Sequence, residues 1–287
     1  MRALVLSGGG SKGAYQVGVL KKLLVDDGIR YDLVAGISVG SINASILAQF
    51  PLGQEAQAWE ALKAAWDEVR TSKIRKGWCL VGALASLWES SVYNSEPLVN
   101  WIRSGLDQAK IISSGRKLKV LAVSWDSGES YVADELDPEI ASWVAASSAF
   151  PVMLSPVPLR GQLWADGGIR SVTPLGEAIR AGATEIDCVL CADPDLEESF
   201  VSKDKAALPA LMVRGIELMS NQIMRSDLKI CGLKNDLAGP YRQVNVRVFK
   251  PTIDLSTIQD SLDFEPEPIQ KMIALGYEDT GKYPDGR

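Results

Sequence analysis

Twice within the first fifty residues a short apolar run breaks at a glycine turn and continues as an apolar-periodic stretch. "ALVLS" runs through "GGGSKG" into "AYQVGVLKKLLVDDG", and "YDLVAGIS" runs through "VG" into "SINASILAQF". Apolar runs this short suit strands covered on both faces, while the stretches after the turns repeat at helical spacing, the first closing at Gly28. Two consecutive strand–turn–helix units leave few folds open. They pair in parallel, because a strand followed by a crossover helix returns beside its neighbour in the same direction. Both glycine turns then fall at the carboxyl edge of one sheet.

The rest of the chain continues the alternation. "KLKVLAVSW" and "ESYVAD" are two strands joined by "DSG", and "LDPEIASWVAASS" is a helix with Asp137 as N-cap and Pro138 at its first position. "LWAD" ends a short strand at Asp166, "PLGEAIRAGA" is a helix closed by Gly182, and "EIDCVLCAD" and "QVNVRVFKP" are late strands. The expected fold class is α/β, a mostly parallel central sheet with helices on both faces and inserted helical segments.

The expected organisation is a single domain over 1–287, with a helical insert at about 55–101 and a helical segment at about 205–233. The insert is rich in tryptophan, with Trp59 and Trp66 two helical turns apart and Trp78, Trp88 and Trp101 beyond. These rings are read as packing an inserted subdomain, with an apolar lid or membrane-facing surface as the alternative. The second segment, rich in Met and Leu, is read as core packing.

A formal charge of −6 argues against a nucleic-acid partner, which requires a basic face to replace phosphate counterions. A local basic patch at Lys73, Arg75 and Lys76 beside Trp78 could still attract an anionic membrane. The N-terminal apolar run is too short for a signal-peptide core, and "GWCLVGALASLW" is about half the roughly 20 residues of a membrane helix. A cytoplasmic protein is expected, with peripheral membrane contact left open. Cys79, Cys188, Cys191 and Cys231 show no disulfide-scaffold pattern, and the "CVLC" pair, three apart in a strand, points to opposite faces.

The chemistry concentrates at the two glycine turns. Gly8, Gly10 and Gly13 satisfy G-x-G-x-x-G, but a dinucleotide site requires an acidic residue at the far end of the second strand, where this chain has Ser38 instead. A Walker loop fails as well, since Ala14 and Tyr15 follow Gly13. What remains is a set of backbone N–H groups at a helix N-terminus, suited to negative charge. The second turn, "GISVG", is a G-x-S-x-G nucleophile elbow with Ser38 between Gly36 and Gly40. Placed side by side, the first loop becomes an oxyanion hole for the Ser38 hydroxyl, with Gly8, Gly9 and Gly10 as donors. The chain contains no histidine, so the base must come from another residue type. Asp166, closing a strand and followed by Gly167 and Gly168, is the best placed, although Asp-Gly is also ordinary turn chemistry.

Three ordered blocks, "GGGSKG" (Gly8 to Gly13), "GISVG" (Gly36 to Gly40) and "DGG" (Asp166 to Gly168), resemble the patatin-like phospholipases. "ASSAFPVMLSPV" (Ala146 to Val157) and the ending "LGYEDT" are similar to the family's segments before its aspartate and in its last helix. The resemblance implies a three-layer patatin-like fold and a Ser38–Asp166 dyad hydrolysing acyl esters of lipids or lysolipids, with no cofactor and no metal. It also implies supporting roles for Gly13, Gly36, Gly40, Gly167 and Gly168. Lys12 stands where the family has Lys or Arg, fixing the loop or attracting a phosphate head group. An acyltransferase on the same dyad and a non-catalytic binding module are the alternatives.

Overall fold

The computed structural model describes residues 1–77, 90–196, 208–236 and 243–286. In chain order its first elements are β1 (Arg2–Leu6), α1 (Gly13–Leu20), β2 (Leu33–Gly36), α2 (Val39–Ala48), α3 (Glu55–Glu68), α4 (Thr71–Ile74), α5 (Glu96–Gly105), α6 (Gln108–Ser114), β3 (Lys117–Ser124) and β4 (Ser130–Asp134). There follow α7 (Ile140–Ser147), β5 (Val157–Leu159), β6 (Gln162–Asp166), α8 (Leu175–Arg180), β7 (Glu185–Val189), α9 (Leu208–Asp236), β8 (Asn245–Phe249) and α10 (Pro266–Lys282).

The sheet runs β5-β6-β3-β2-β1-β7-β8, with β4 also paired to β3. β1 and β2 are parallel neighbours, Leu6 opposite Gly36, as the two strand–turn–helix units require. β3, β7 and β8 extend the parallel set, and β4, β5 and β6 add antiparallel pairs. Side-chain alternation sends Leu4 and Leu6 of β1 to the core beneath α1, α2, α7 and α10, and Ala3 and Val5 to the opposite core beneath α8 and α9. Both faces are buried, which is why the strands read as continuous apolar runs. Cys188 and Cys191 fall one in each core, and burial raises both thiols, Cys191 to about 12.

β3 acts as the ruler for the site. Ala122 and Val123 pair with β4 along one edge, so β6 occupies the other edge, which β2 also uses. Gly36 at the end of β2 lies opposite Val120, and Asp166 at the end of β6 lies opposite Ala122. Two strand ends approaching from opposite directions therefore meet two residues apart on one edge of β3.

Beneath the glycine turns a buried polar network ties the first elements together. The Asn43 amide donates to Gln16 Oε1 at 2.8 Å, Trp66 Nε1 donates to Asn43 Oδ1 at 2.9 Å, and Gln16 Nε2 donates to the Ser7 carbonyl at 2.9 Å. Every member has a partner, which is the condition for such a network to rigidify a core. On the outer side α1 and α10 approach closely at Gly18 and Gly276. A Cβ at Gly276 would stand 2.1 Å from the Tyr15 carbonyl oxygen, so the "LGYEDT" glycine is a packing requirement.

Several local expectations change. The helix after the first turn is α-helical only to Leu20 and continues as a π-helical stretch over Lys21–Asp26 before Gly28 turns at φ 63°. α7 starts at Ile140 rather than directly after Asp137, because Asp137 Oδ1 takes the Glu139 N–H at 3.0 Å and forms a turn first. Trp59 donates to the Val17 carbonyl at 3.0 Å, so the first insert helix is bonded to α1. The basic patch does not form among its described members. Arg75 pairs with Asp263 at 2.6 Å, Lys76 with Glu96 at 2.8 Å and Lys73 with Glu68 at 3.5 Å. Trp78, Trp88 and Cys79, and with them nearly all of "GWCLVGALASLW", lie outside the described residues.

Candidate active site

Ser38 sits at the junction of β2 and α2 with φ 55° and ψ −131°. Such a backbone costs about 1–3 kcal/mol in a non-glycine residue and must be held by its surroundings. The Ser38 N–H donates to Ser147 Oγ at 3.0 Å, and the Ser38 carbonyl accepts from the Ser41 N–H at 2.8 Å and the Ser41 hydroxyl at 2.7 Å. The flanking glycines are there for space. A Cβ on Gly40 would lie 2.3 Å from the Leu6 carbonyl oxygen and 2.6 Å from that of Ser7. Gly40→Ala must therefore push β1 away from α2. We expect a loss of about 3 kcal/mol, measured as a lowered urea midpoint with unchanged slope.

Asp166 ends β6, 3% exposed, its N–H bonded to the Ala149 carbonyl at 3.0 Å and its Oδ1 accepting from the Gly168 N–H at 2.8 Å. Ser38 lies beside this carboxylate, because the ends of β2 and β6 meet on β3, and both residues line the same cavity. Burial pushes the carboxyl up to about 6, against the lowering by the neighbouring Ser38 hydroxyl and the Gly168 N–H. Gly167 is fixed by crowding, since a Cβ there would stand 2.4 Å from the Leu121 carbonyl oxygen.

The glycine loop faces this pair. Gly8 is already engaged, its N–H donating to the Val172 carbonyl at 3.2 Å, unlike those of Gly9 and Gly10. These two open the turn before α1, where N–H groups have no intrahelical acceptor. Gly10 has φ 57°, and a Cβ on it would meet the Ser261 carbonyl oxygen at 2.0 Å. The loop is clamped from outside by the 255–264 segment. Ser11 donates through its N–H to the Ser261 carbonyl at 2.8 Å and through its hydroxyl to the Asp260 carbonyl at 2.9 Å. Lys12 is buried beside the loop, 3.7 Å from Glu217 of α9, whose Oε1 also accepts from the Ser261 hydroxyl at 3.0 Å. Gly13 lies against Val39, where a Cβ would come within 2.5 Å of Cγ2.

Ser38, Asp166, Lys12 and the three loop glycines open into one cavity of about 770 Å³. Its walls are largely apolar, with Trp66, Ile74, Leu98, Trp101, Phe150 and Met153 among them. α9 contributes Arg214, Glu217, Ser220 and Asn221 to the lining together with Ile216 and Met224. Three contributors were not singled out from sequence: Ser147, Glu217 and Ser261. Ser147 lies in the quoted "ASSAFP" stretch, but nothing in its spacing marks it as the acceptor for the Ser38 amide. Glu217 and Ser261 carry no motif at all. The Met-rich segment 205–233 was expected to pack as core, yet α9 lines the cavity with one face and exposes Leu218 and Met219 on the other. Among the described residues no group of three Cys, Asp or Glu side chains gathers as a metal site.

The patatin-like phospholipase family model matches residues 4–179, which include all three motif blocks, and the chain belongs to that family. Patatin-like phospholipase domain-containing protein ZK370.4 of Caenorhabditis elegans is 28% identical over 192 residues, 66% of this chain and 13% of that protein. Human patatin-like phospholipase domain-containing protein 6 is 28% identical over 186 residues, 64% of this chain and 13% of that protein. The chain thus matches only a small part of these much longer relatives. The crystal structure of VipD from Legionella pneumophila aligns over 98% of this chain and 66% of that one, at 15% identity and a TM-score of 0.48.

Proposed function

We propose that the chain hydrolyses carboxylic esters of lipids, of the phospholipase or lysophospholipase type, with Ser38 as nucleophile and Asp166 as its base. The observation that carries this is the meeting of Ser38 with a buried carboxyl, raised to about 6, where the ends of β2 and β6 come together at the wall of a largely apolar cavity. A carboxylate with the ordinary value of about 3.9 is a poor acceptor for a serine proton. Desolvation raises its basicity toward the working pH, where general bases act best, and at neutral pH it is still mostly ionised.

Ser38 Oγ attacks the ester carbonyl while its proton passes to Asp166. The carbonyl oxygen becomes an oxyanion held by the Gly9 and Gly10 amides, each such donor contributing about 2.7–4 kcal/mol. Collapse of the intermediate expels the alcohol, which takes the proton from Asp166, and an acyl-serine remains. Water then enters, gives a proton to Asp166 and attacks the acyl carbon through a second oxyanion. The acid leaves, and the proton returns to Ser38. The apolar walls of the cavity suit an acyl chain, and the polar side chains that α9 contributes suit a head group.

A fluorophosphonate reports the activated serine directly. We expect peptide mapping to find one adduct, on Ser38, formed more slowly as pH falls below about 6. An unlabelled protein with an intact fold would refute the reading.

A further inference from the structure

α9 is unlike the other helices because both of its long faces are spoken for. Inward, Met224 is buried against the sheet, and Arg214, Glu217, Ser220 and Asn221 line the cavity. Asp227 anchors the helix by accepting from the Ser171 and Thr173 hydroxyls, each at 3.2 Å, and the Asn235 amide bonds the Val244 carbonyl at 2.6 Å. Outward stand Leu211, Met212, Leu218, Met219, Ile230 and Leu233, each between 40% and 59% exposed. At 3.6 residues per turn these six fall within an arc of about 120°, opposite the cavity-lining arc, along about 33 Å of helix.

We propose that this outward face of α9 is the surface on which the protein lies against a lipid bilayer bearing anionic head groups. The inference rests on lipid-ester hydrolysis only for its purpose, not for its geometry. The chain carries a formal charge of −6, yet this helix turns Glu217 and Asp227 inward and exposes Lys229 and Lys234, with Arg225 also exposed and paired with Asp195 at 3.9 Å, so the exposed charges among its described side chains are all basic and match an anionic surface. The patch is a convex ridge of one helix offering a few hundred Å², short of the roughly 800 Å² per partner of a stable protein interface. No described helix is long and apolar enough to cross a membrane, so α9 lies in the interface plane. In that pose the cavity wall and the bilayer are two faces of one helix, and a lipid leaving the membrane has only to pass its edge.

The test is co-sedimentation with phosphatidylcholine vesicles, with and without phosphatidylglycerol, using the whole chain. Wild-type and Ser38→Ala proteins should bind the phosphatidylglycerol vesicles equally and be released by salt. The double variant Leu218→Gln/Met219→Gln should bind at least about tenfold more weakly. Its melting temperature and its rate on a water-soluble short-chain ester should be unchanged, since neither side chain lines the cavity. Vesicle binding by a protein that hydrolyses no ester would support the docking face while removing hydrolysis. Equal binding by the double variant, no binding by wild type, or a dimer that the double variant dissolves would overturn the docking face.

Discussion

Ser38→Ala protein will melt close to wild type and hydrolyse lipid esters about 10⁵- to 10⁶-fold more slowly, leaving only what binding and the glycine-loop amides supply. The size of the effect follows from the bonds involved. Removing Oγ removes the acyl acceptor itself, and no other hydroxyl occupies its place at the end of β2. The fold is insulated from the change, because the contacts holding this turn are made by the Ser38 backbone, to Ser147 and Ser41. Alanine keeps all of them. The measurement is the initial rate on lysophospholipid and on a short-chain ester, beside a thermal melt. A variant that retains activity would assign the chemistry to another residue, and the elbow would then be a shape without a function.

How much of this was legible in the sequence depends on whether the information is local. The β1–α1 and β2–α2 units could be seen because a strand, a glycine turn and a helix are contiguous, and their pairing follows from that order. The elbow could be seen for the same reason. In its own residues Asp166 reads as a strand-ending Asp-Gly, and only the resemblance to the patatin-like family pairs it with Ser38; its place beside Ser38 is set by β3, whose Val120 and Ala122 receive strand ends separated by well over a hundred residues. Spacing cannot carry that. Gly8 illustrates a different limit. It stands in the motif with Gly9 and Gly10, but its amide is committed to Val172, a partner that only the crossing of the 167–173 turn supplies.

α9 and the Lys73–Lys76 stretch show where composition misleads. A Met- and Leu-rich segment suggests core, and three basic residues within four positions suggest a patch. In the structure the basic residues are matched by Glu68, Asp263 and Glu96 from three separate segments, two of them distant in sequence. The apolar residues of α9, by contrast, divide between its two faces, and only the packing of Met224 and Asp227 fixes which face is which.

Asp166→Asn will lower activity by about 10²- to 10⁴-fold and, at neutral pH, raise stability. The second effect follows from the direction of the pKa. With the folded carboxyl at about 6 and an unfolded one at about 3.9, the native state binds the proton more tightly than the unfolded chain does. Stability from this group is therefore greatest below about pH 4, falls as pH rises from about 4 to 6, and above that the native state carries the full cost of an ionised buried carboxylate. For a difference of about two units that cost is about 3 kcal/mol. Asparagine cannot ionise, and its Oδ1 can still accept from the Gly168 N–H, so the variant escapes the cost. Urea melts at pH 7.5 should place Asp166→Asn above wild type, with the two converging toward pH 4. Over the same range the wild-type rate should rise through about pH 6 and then level, as the carboxylate that destabilises the fold becomes the base that the reaction uses. Damage to the fold would lower activity and stability together, so only a buried base predicts opposite signs. A variant as active as wild type and less stable at pH 7.5 would remove Asp166 from the chemistry.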